Sequence, residues 1–289
     1  MSCPIAAVPL PVLNEQELAE VWMSSTPVIV RRRNGIHYAL NGQALFGVYR
    51  PKTAHALLDS LAYTAYSEIV RVIKDEGYVH LLRMWNYFNG INEDEASLER
   101  YRRFCVGRYR AFAGSKPKLE VMLPAASVVG TDESGLIVYF LAAREAGRPL
   151  ENPRQISAFR YPVQYSPRSP LFSRAMLKDW GRRSHLYISG TASIVGHRTC
   201  HADNVQEQLS EILCNIQALR QHATRVKGTD FQAKSAQALF KVYVRHAEDF
   251  AGICDVLTRE LGEGTPILYL RGDLCRRDLL LEIEGVYAC

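Results

Sequence analysis

The sequence predicts an α/β protein built from two units, and three observations carry that prediction. Its 289 residues exceed the roughly 150 of a typical single domain, so two cores are expected. The second half alternates strand-like and helix-like segments, the pattern of helices layered on a sheet. A stretch dense in Gly, Pro and Asn, EAGRPLENPRQ at residues 145–155, reads as a linker. The expected division is an N-terminal α/β domain over 1–150 and a C-terminal domain over 151–289, with helices packed on one face of a mixed sheet.

In chain order, Pro-rich coil comes first, then strands at residues 27–32 (PVIVRR) and 36–40. Helical spacing covers residues 53–75 and 94–112. In the second of these, Leu98, Tyr101, Cys105, Arg108 and Phe112 recur at i, i+3, i+7, i+10 and i+14, so they share one stripe. A strand is expected at residues 136–143. Beyond the linker, SHLYISG reads as a strand. Asp203 can cap a helix lined by Val205, Leu209, Ile212, Ile216 and Leu219. LFKVYVR (239–245) alternates apolar with polar, as a half-buried strand does. DFAGICDVLTREL (249–261) is a second amphipathic helix, and PILYL and LLLEIEGVY are further strands. There is no repeat of fixed period and no low-complexity tract.

Composition is that of an ordinary globular protein, 47% hydrophobic and 22% charged. The longest apolar stretch, residues 135–143, falls far short of the ~20 that a membrane helix needs. No basic segment precedes the first apolar residues, so no secretory signal is expected. Seven scattered cysteines, an odd number, favour reduced thiols and a cytoplasmic home. The net charge of +5 is modest. Arg31, Arg32 and Arg33 read as a solvated edge rather than a nucleic-acid patch. The cluster RYRRFCVGRYR (100–110) is interleaved with Tyr101, Phe104, Cys105 and Tyr109. Some of its arginines must point inward, and an inward guanidinium wants an anion.

The last strand poses the chemical question. Leu279, Leu281 and Ile283 share one face; Leu280, Glu282, Glu284 and Val286 share the other, with the two carboxyl stems ~7 Å apart. Two readings fit. In a poorly solvated cleft such a carboxyl has its pKa raised and can donate a proton near neutrality. On a rim strand it faces water or pairs with Arg276 or Arg277. The loop FRYPVQYSPRSPLFSRA (159–175) places Arg160, Tyr161, Tyr165, Arg168 and Arg174 among three prolines. Fixed backbone can hold such groups pre-oriented for a small anion, or can serve as a rigid connector. GTASIVGH (190–197) lacks the features of a phosphate or dinucleotide loop, though backbone can approach a ligand closely there. His197, Cys200 and His201 lack further ligands at metal spacing, so no metal is expected. No nucleophile signature is present.

The segment LYISGTASIVGHRTCHADNVQEQLSEILCNIQAL, followed by LLLEIEGVY, resembles the YjgF/RidA (chorismate mutase-like) fold. With RYRRFCVGRYRAF, FRYPVQYSPRSPLFSRA and DLCRRDLLLEIEG, the chain is similar to the chorismatases, above all their 3-hydroxybenzoate synthase branch. The resemblance runs from about Trp85 to the C-terminus. It implies a cofactor-free enzyme in which Glu282 protonates the enolpyruvyl ether of chorismate and Glu284 is an accessory or rim carboxylate. It further implies that arginines (Arg108, Arg160 and Arg168 are the candidates) grip two substrate carboxylates, with Tyr161 and Tyr165 as hydroxyl donors. Gly190 and Cys275 fall where the branches differ and match the aromatising one. The implied products are 3-hydroxybenzoate and pyruvate, with some 4-hydroxybenzoate if an arene oxide opens both ways. The alternatives are a hydrolytic chorismatase giving a dihydroxycyclohexadiene carboxylate, or a non-catalytic ligand- or RNA-binding relative. Leu268 stands where imine-deaminating members carry arginine, which implies no deaminase activity. Monomer and homotrimer both fit, and neither nucleic acid nor membrane is an expected partner.

Overall fold

The structure, a computed structural model, describes residues 2–14, 19–51, 56–113, 123–232 and 237–289. The first half runs β1 (Ile29–Arg33), β2 (Ile36–Leu40), β3 (Ala44–Tyr49), α1 (Leu58–Asp75), β4 (His80–Asn89), a two-residue hairpin of β5 (Asp94–Glu95) and β6 (Leu98–Glu99), α2 (Arg100–Ala113), β7 (Ala125–Thr131) and β8 (Leu136–Ala143). The second runs β9 (Arg148–Leu150), β10 (Ala175–Asp179), β11 (Ser184–Thr191), a small hairpin of β12 (Ile194–Val195) and β13 (Arg198–Thr199), α3 (Val205–Lys227), β14 (Gln237–Val244), α4 (Phe250–Leu261), β15 (Ile267–Arg271) and β16 (Leu281–Ala288).

Two six-stranded sheets result, ordered β1-β2-β3-β8-β4-β7 and β9-β10-β11-β16-β14-β15. The halves share one topology. Each lays down three antiparallel strands, then a helix, a strand, a helix and a parallel neighbour of that strand; the last strand returns to fill the middle. A sequence without a detectable repeat thus folds into a repeated path.

Helices cover the outer face of each sheet. Met84, Phe88 and Phe140 pack with α1 and α2, while Leu281, Ile283 and Tyr287 pack with α3 and α4. The bare inner faces meet: Trp85, Tyr87 and Tyr139 of the first sheet bury against Met176, Tyr187 and Tyr243 of the second. The α/β class and the helices on one face of a mixed sheet are as the sequence predicts. Among the described residues no helix is long and apolar enough to cross a membrane.

Several local expectations shift for physical reasons. The second helix begins at Arg100, because residues 94–99 close a tight hairpin with Ala96 and Ser97 at positive φ. The expected start of the first helix at residue 53 lies outside the described residues; the described helix starts at Leu58. Asn204, not Asp203, caps α3, its side chain accepting from the backbone of Gln206 and Glu207. Part of the expected linker is edge strand β9, where Pro149 is tolerated opposite Met176. β14 is buried on both faces along its second half, since its polar face meets the other sheet.

One glycine fixes how closely α1 and α2 approach. A Cβ on Gly107 would lie 2.1 Å from the backbone oxygen of Asp59. Gly107→Val is therefore expected to cost about 1–3 kcal/mol by overpacking, read as a lowered midpoint in urea denaturation.

Candidate active site

The site forms where β16 faces the first sheet. Glu282 and Glu284 point away from α3 and α4 into the space between the sheets, with only 5% and 3% of their surface exposed. The reading of β16 as a strand facing water is thereby excluded.

The two carboxyls have opposite surroundings. Glu284 is clamped: Arg83 Nη2 lies 2.7 Å from Oε2, Trp85 Nε1 donates to Oε1 at 2.7 Å, and Lys241 Nζ lies 3.1 Å from Oε1. The β14–β16 register supplies Lys241, which sits directly opposite Glu284. Burial alone would raise the Glu284 pKa, but Lys241 and Arg83 outweigh it and hold the carboxyl below its ordinary range. Burial likewise disfavours charge on Lys241, yet Glu20, at 2.6 Å, and Glu284 keep it charged.

Glu282 is not clamped. Its Oε1 is buried and has no hydrogen-bond partner among the described residues. Burial, reinforced by the neighbouring Glu284 charge, pushes its pKa up to about 8, against the pull of Arg83 and Arg174. At neutral pH this is a carboxylic acid.

Beside it, β11 carries one extra residue between Ile188 and Thr191 relative to β16, a bulge that re-aims Gly190. The Gly190 N–H donates to Ser127 Oγ at 2.9 Å, and a Cβ here would sit 1.9 Å from Glu282 Oε1. The carboxyl occupies the space that a side chain would fill.

Glu282 opens onto a cavity of about 210 Å³ between the halves. Four residues singled out from the sequence meet there with the acid: Gly190, Cys275, Tyr161 and Tyr165 line the wall around Glu282. Burial and the nearby Glu282 push the Cys275 thiol up to about 12, so it stays neutral. Tyr165 shares a 3.0 Å hydrogen bond with His197 Nδ1.

Three arginine candidates lie elsewhere. Arg108 is buried in α2 with its guanidinium over the Tyr66 and Phe112 rings. Arg168 is exposed and stacks on Tyr109, and Arg160 sits in a short turn beside the Phe159 ring. None of the three lines the cavity. The cations that do are Arg174, Arg276, Arg102 and Arg277. Arg174 donates to Tyr161 Oη at 2.6 Å and to the Ile156 carbonyl, leaving its buried Nε without a partner among the described residues. Arg276 stacks 4.1 Å from the Tyr165 ring centroid and donates to the His197 carbonyl at 3.0 Å.

The loop bearing Cys275, Arg276 and Arg277 is stapled from β14's end. Arg245 donates to the carbonyls of Leu279 and Arg276 and pairs with Asp273. His201 pairs with Glu207 rather than with His197 or Cys200, and no group of three or more metal-binding side chains stands together among the described residues.

Residues 20–142 match the family model described as Chorismatase FkbO/Hyg5-like, N-terminal. A 3-hydroxybenzoate synthase from Streptomyces hygroscopicus is 35% identical over 286 residues, 94% of this chain and 82% of the relative. A chorismatase from Streptomyces rapamycinicus is 37% identical, covering 99% of this chain and 87% of the relative. A chorismatase crystal structure superimposes with a TM-score of 0.83 at 36% identity, covering 90% of this chain and 79% of that one. Two sheets meeting over a protonated glutamate are thus set in a chain that is similar to these proteins along nearly its whole length, and the chain belongs to the chorismatase family.

Proposed function

We propose that this chain cleaves chorismate to 3-hydroxybenzoate and pyruvate, with Glu282 as the acid. One observation carries the reading: a carboxyl that keeps its proton at neutral pH faces a small cavity ringed by arginines. The relative named 3-hydroxybenzoate synthase supports the choice of product.

The route balances at one residue. Glu282 gives its proton to the terminal methylene carbon of the enolpyruvyl ether, forming an oxocarbenium ion, and the new carboxylate steadies that charge. The ring hydroxyl oxygen then attacks the neighbouring carbon that bears the ether. That carbon–oxygen bond breaks and pyruvate leaves. The hydroxyl proton returns to Glu282. The arene oxide left behind opens to the hydroxybenzoate, and opening in the other sense gives 4-hydroxybenzoate.

Two substrate carboxylates need two cationic seats. Arg174, with its free Nε, and Arg276 are our assignment, in place of Arg108, Arg160 and Arg168, which do not reach the cavity. Tyr161 and Tyr165 order these guanidinium groups and offer hydroxyls to the ligand. A charge-assisted hydrogen bond is worth about 1.5–3 kcal/mol, so Arg174→Ala is expected to raise KM about tenfold to a hundredfold in steady-state assays. An unchanged KM would move the carboxylate seat elsewhere.

The pH dependence follows from Glu282. Its proton is present below about 8 and lost above, so kcat/KM for pyruvate release should hold through neutrality and fall as pH rises through about 8. A rate that climbs through that range would contradict an acid at this position. The experiment that tests the function itself is product identification from chorismate.

A further inference from the structure

The charged cluster behind Glu282 takes no part in the cleavage route. Between the sheets Glu284 meets Arg83 at 2.7 Å and Lys241 at 3.1 Å, and Lys241 meets Glu20 at 2.6 Å. Two cations and two anions close the charge balance. Trp85 Nε1 adds a neutral hydrogen bond to Glu284. A buried ion cluster is a poor way to hold two sheets together, because apolar residues of similar volume do so at least as well. Its register is specific, however. Lys241 lies opposite Glu284, and Tyr243 lies opposite Glu282, so the acid has a phenol beside it and the anion has the cation.

We propose that Glu284, clamped by Arg83 and Lys241, is a positioning residue for Glu282: its fixed negative charge keeps the neighbouring carboxyl in the neutral, proton-bearing form. Ionising Glu282 would add a third anion to a buried cluster that is already balanced. The inference rests on Glu282 being the acid of the proposed reaction.

The groups facing Glu282 from each side fit this role. From the first sheet come Arg83 and Ser127, and from β11 only Gly190, which carries no side chain. From the loop before β16 comes Cys275, a neutral thiol, and Arg276 and Arg277 of that loop line the same cavity with donors turned to the His197 and Asn92 carbonyls. Tyr87, Tyr139 and Tyr243 fill the space around the pair, and burial keeps these phenols neutral. Arg174 pulls the other way, but its donors are directed to Ile156, Tyr161 and the cavity. With Arg83 and Lys241 already balanced by Glu284 and Glu20, Glu284 is the near like charge that adds to burial in holding the proton on Glu282.

The test is an infrared titration of the substrate-free protein. The carbonyl band of a protonated carboxyl is assigned to Glu282 by its loss in Glu282→Gln and followed against pH. In the wild type it should titrate near 8. In Glu284→Gln the midpoint should fall by about one pH unit or more, the size of shift a close like charge produces. The alkaline limb of the chorismate rate profile should move with it. A midpoint that stays in place in folded Glu284→Gln, or a wild-type Glu282 already ionised at neutral pH, overturns the proposal. If Glu284→Gln fails to fold, Glu284→Gln/Lys241→Met removes one charge of each sign and leaves Arg83 without its carboxylate beside Glu282, so a fall of the same sign, smaller than in the single variant, is required of it. Absence of pyruvate from wild-type protein would instead overturn the chorismate reading, and the infrared titration stands apart from that result.

Discussion

Glu282→Gln is expected to lower kcat for pyruvate release from chorismate by about 10²–10⁴-fold, the usual worth of a positioned general acid. The substitution replaces one neutral side chain by another of nearly the same shape, because Glu282 already carries its proton at pH 7. No buried charge is left unpaired, so folding and KM should change little. The amide cannot protonate carbon, and that is the single function removed. Full activity in this variant would take the acid away from β16 and leave the raised pKa as a by-product of burial.

Gly190→Ala is expected to change both rate and product. The added methyl would stand 1.9 Å from Glu282 Oε1 and 2.6 Å from its Cδ, so something must move. The β11 backbone is held: the Gly190 N–H bonds Ser127, and Ser189 Oγ bridges the Ala126 N–H and the Ser173 carbonyl. The Glu282 carboxyl is the part free to yield. A displacement of about 1 Å at a reacting group costs on the order of 10² in rate, so formation of 3-hydroxybenzoate should drop about that far. With the acid displaced, the oxocarbenium stage is less tightly held against the ring hydroxyl. The share of a non-aromatic diol, formed by water, should then rise, and chromatography of the products measures both quantities. An unchanged product ratio at an unchanged rate would remove Gly190 from the site's control.

The acid was legible in the sequence because strand alternation alone puts Glu282 and Glu284 on one face, opposite the leucines. Which of the two keeps its proton was not legible. That depends on Arg83, 201 residues away from Glu284 in the chain, and on a cross-strand lysine read from the sequence as the polar half of a half-buried strand. β4 itself leaves no periodic signal: buried on both faces, it mixes Arg83 and Asn86 with Trp85 and Tyr87, and neither period emerges. β7 is mostly small residues with little strand preference, and β9 carries a proline. The topological repeat is hidden for a related reason. Each half fills the shared inner layer with different side chains, Glu282, Glu284 and Lys241 beside Tyr187 and Tyr243 on one side, Arg83 beside Trp85, Tyr87 and Tyr139 on the other.

The arginines show the same limit from another direction. A stripe on α2 correctly marks Arg108 as inward, yet inward there means the helix–sheet core and the Tyr66 ring, not the cavity. The Pro-rich loop delivers Tyr161, Tyr165 and Arg174 to the wall, as its reading as a holder of a small anion allows, while Arg168 of the same loop stacks outside the cavity. Arg276 reads from sequence as a partner for the glutamates; the fold turns it onto Tyr165 instead.

The most direct measurement is to incubate the purified protein with carbon-13-labelled chorismate and identify every product by NMR and mass spectrometry. Equimolar pyruvate and hydroxybenzoate are expected, with the 3-isomer predominant. Pyruvate accompanied by a non-aromatic diol would contradict the aromatising role given to Gly190 and Cys275, and no pyruvate at all would contradict the assignment of Glu282 as the acid of a chorismate-cleaving site.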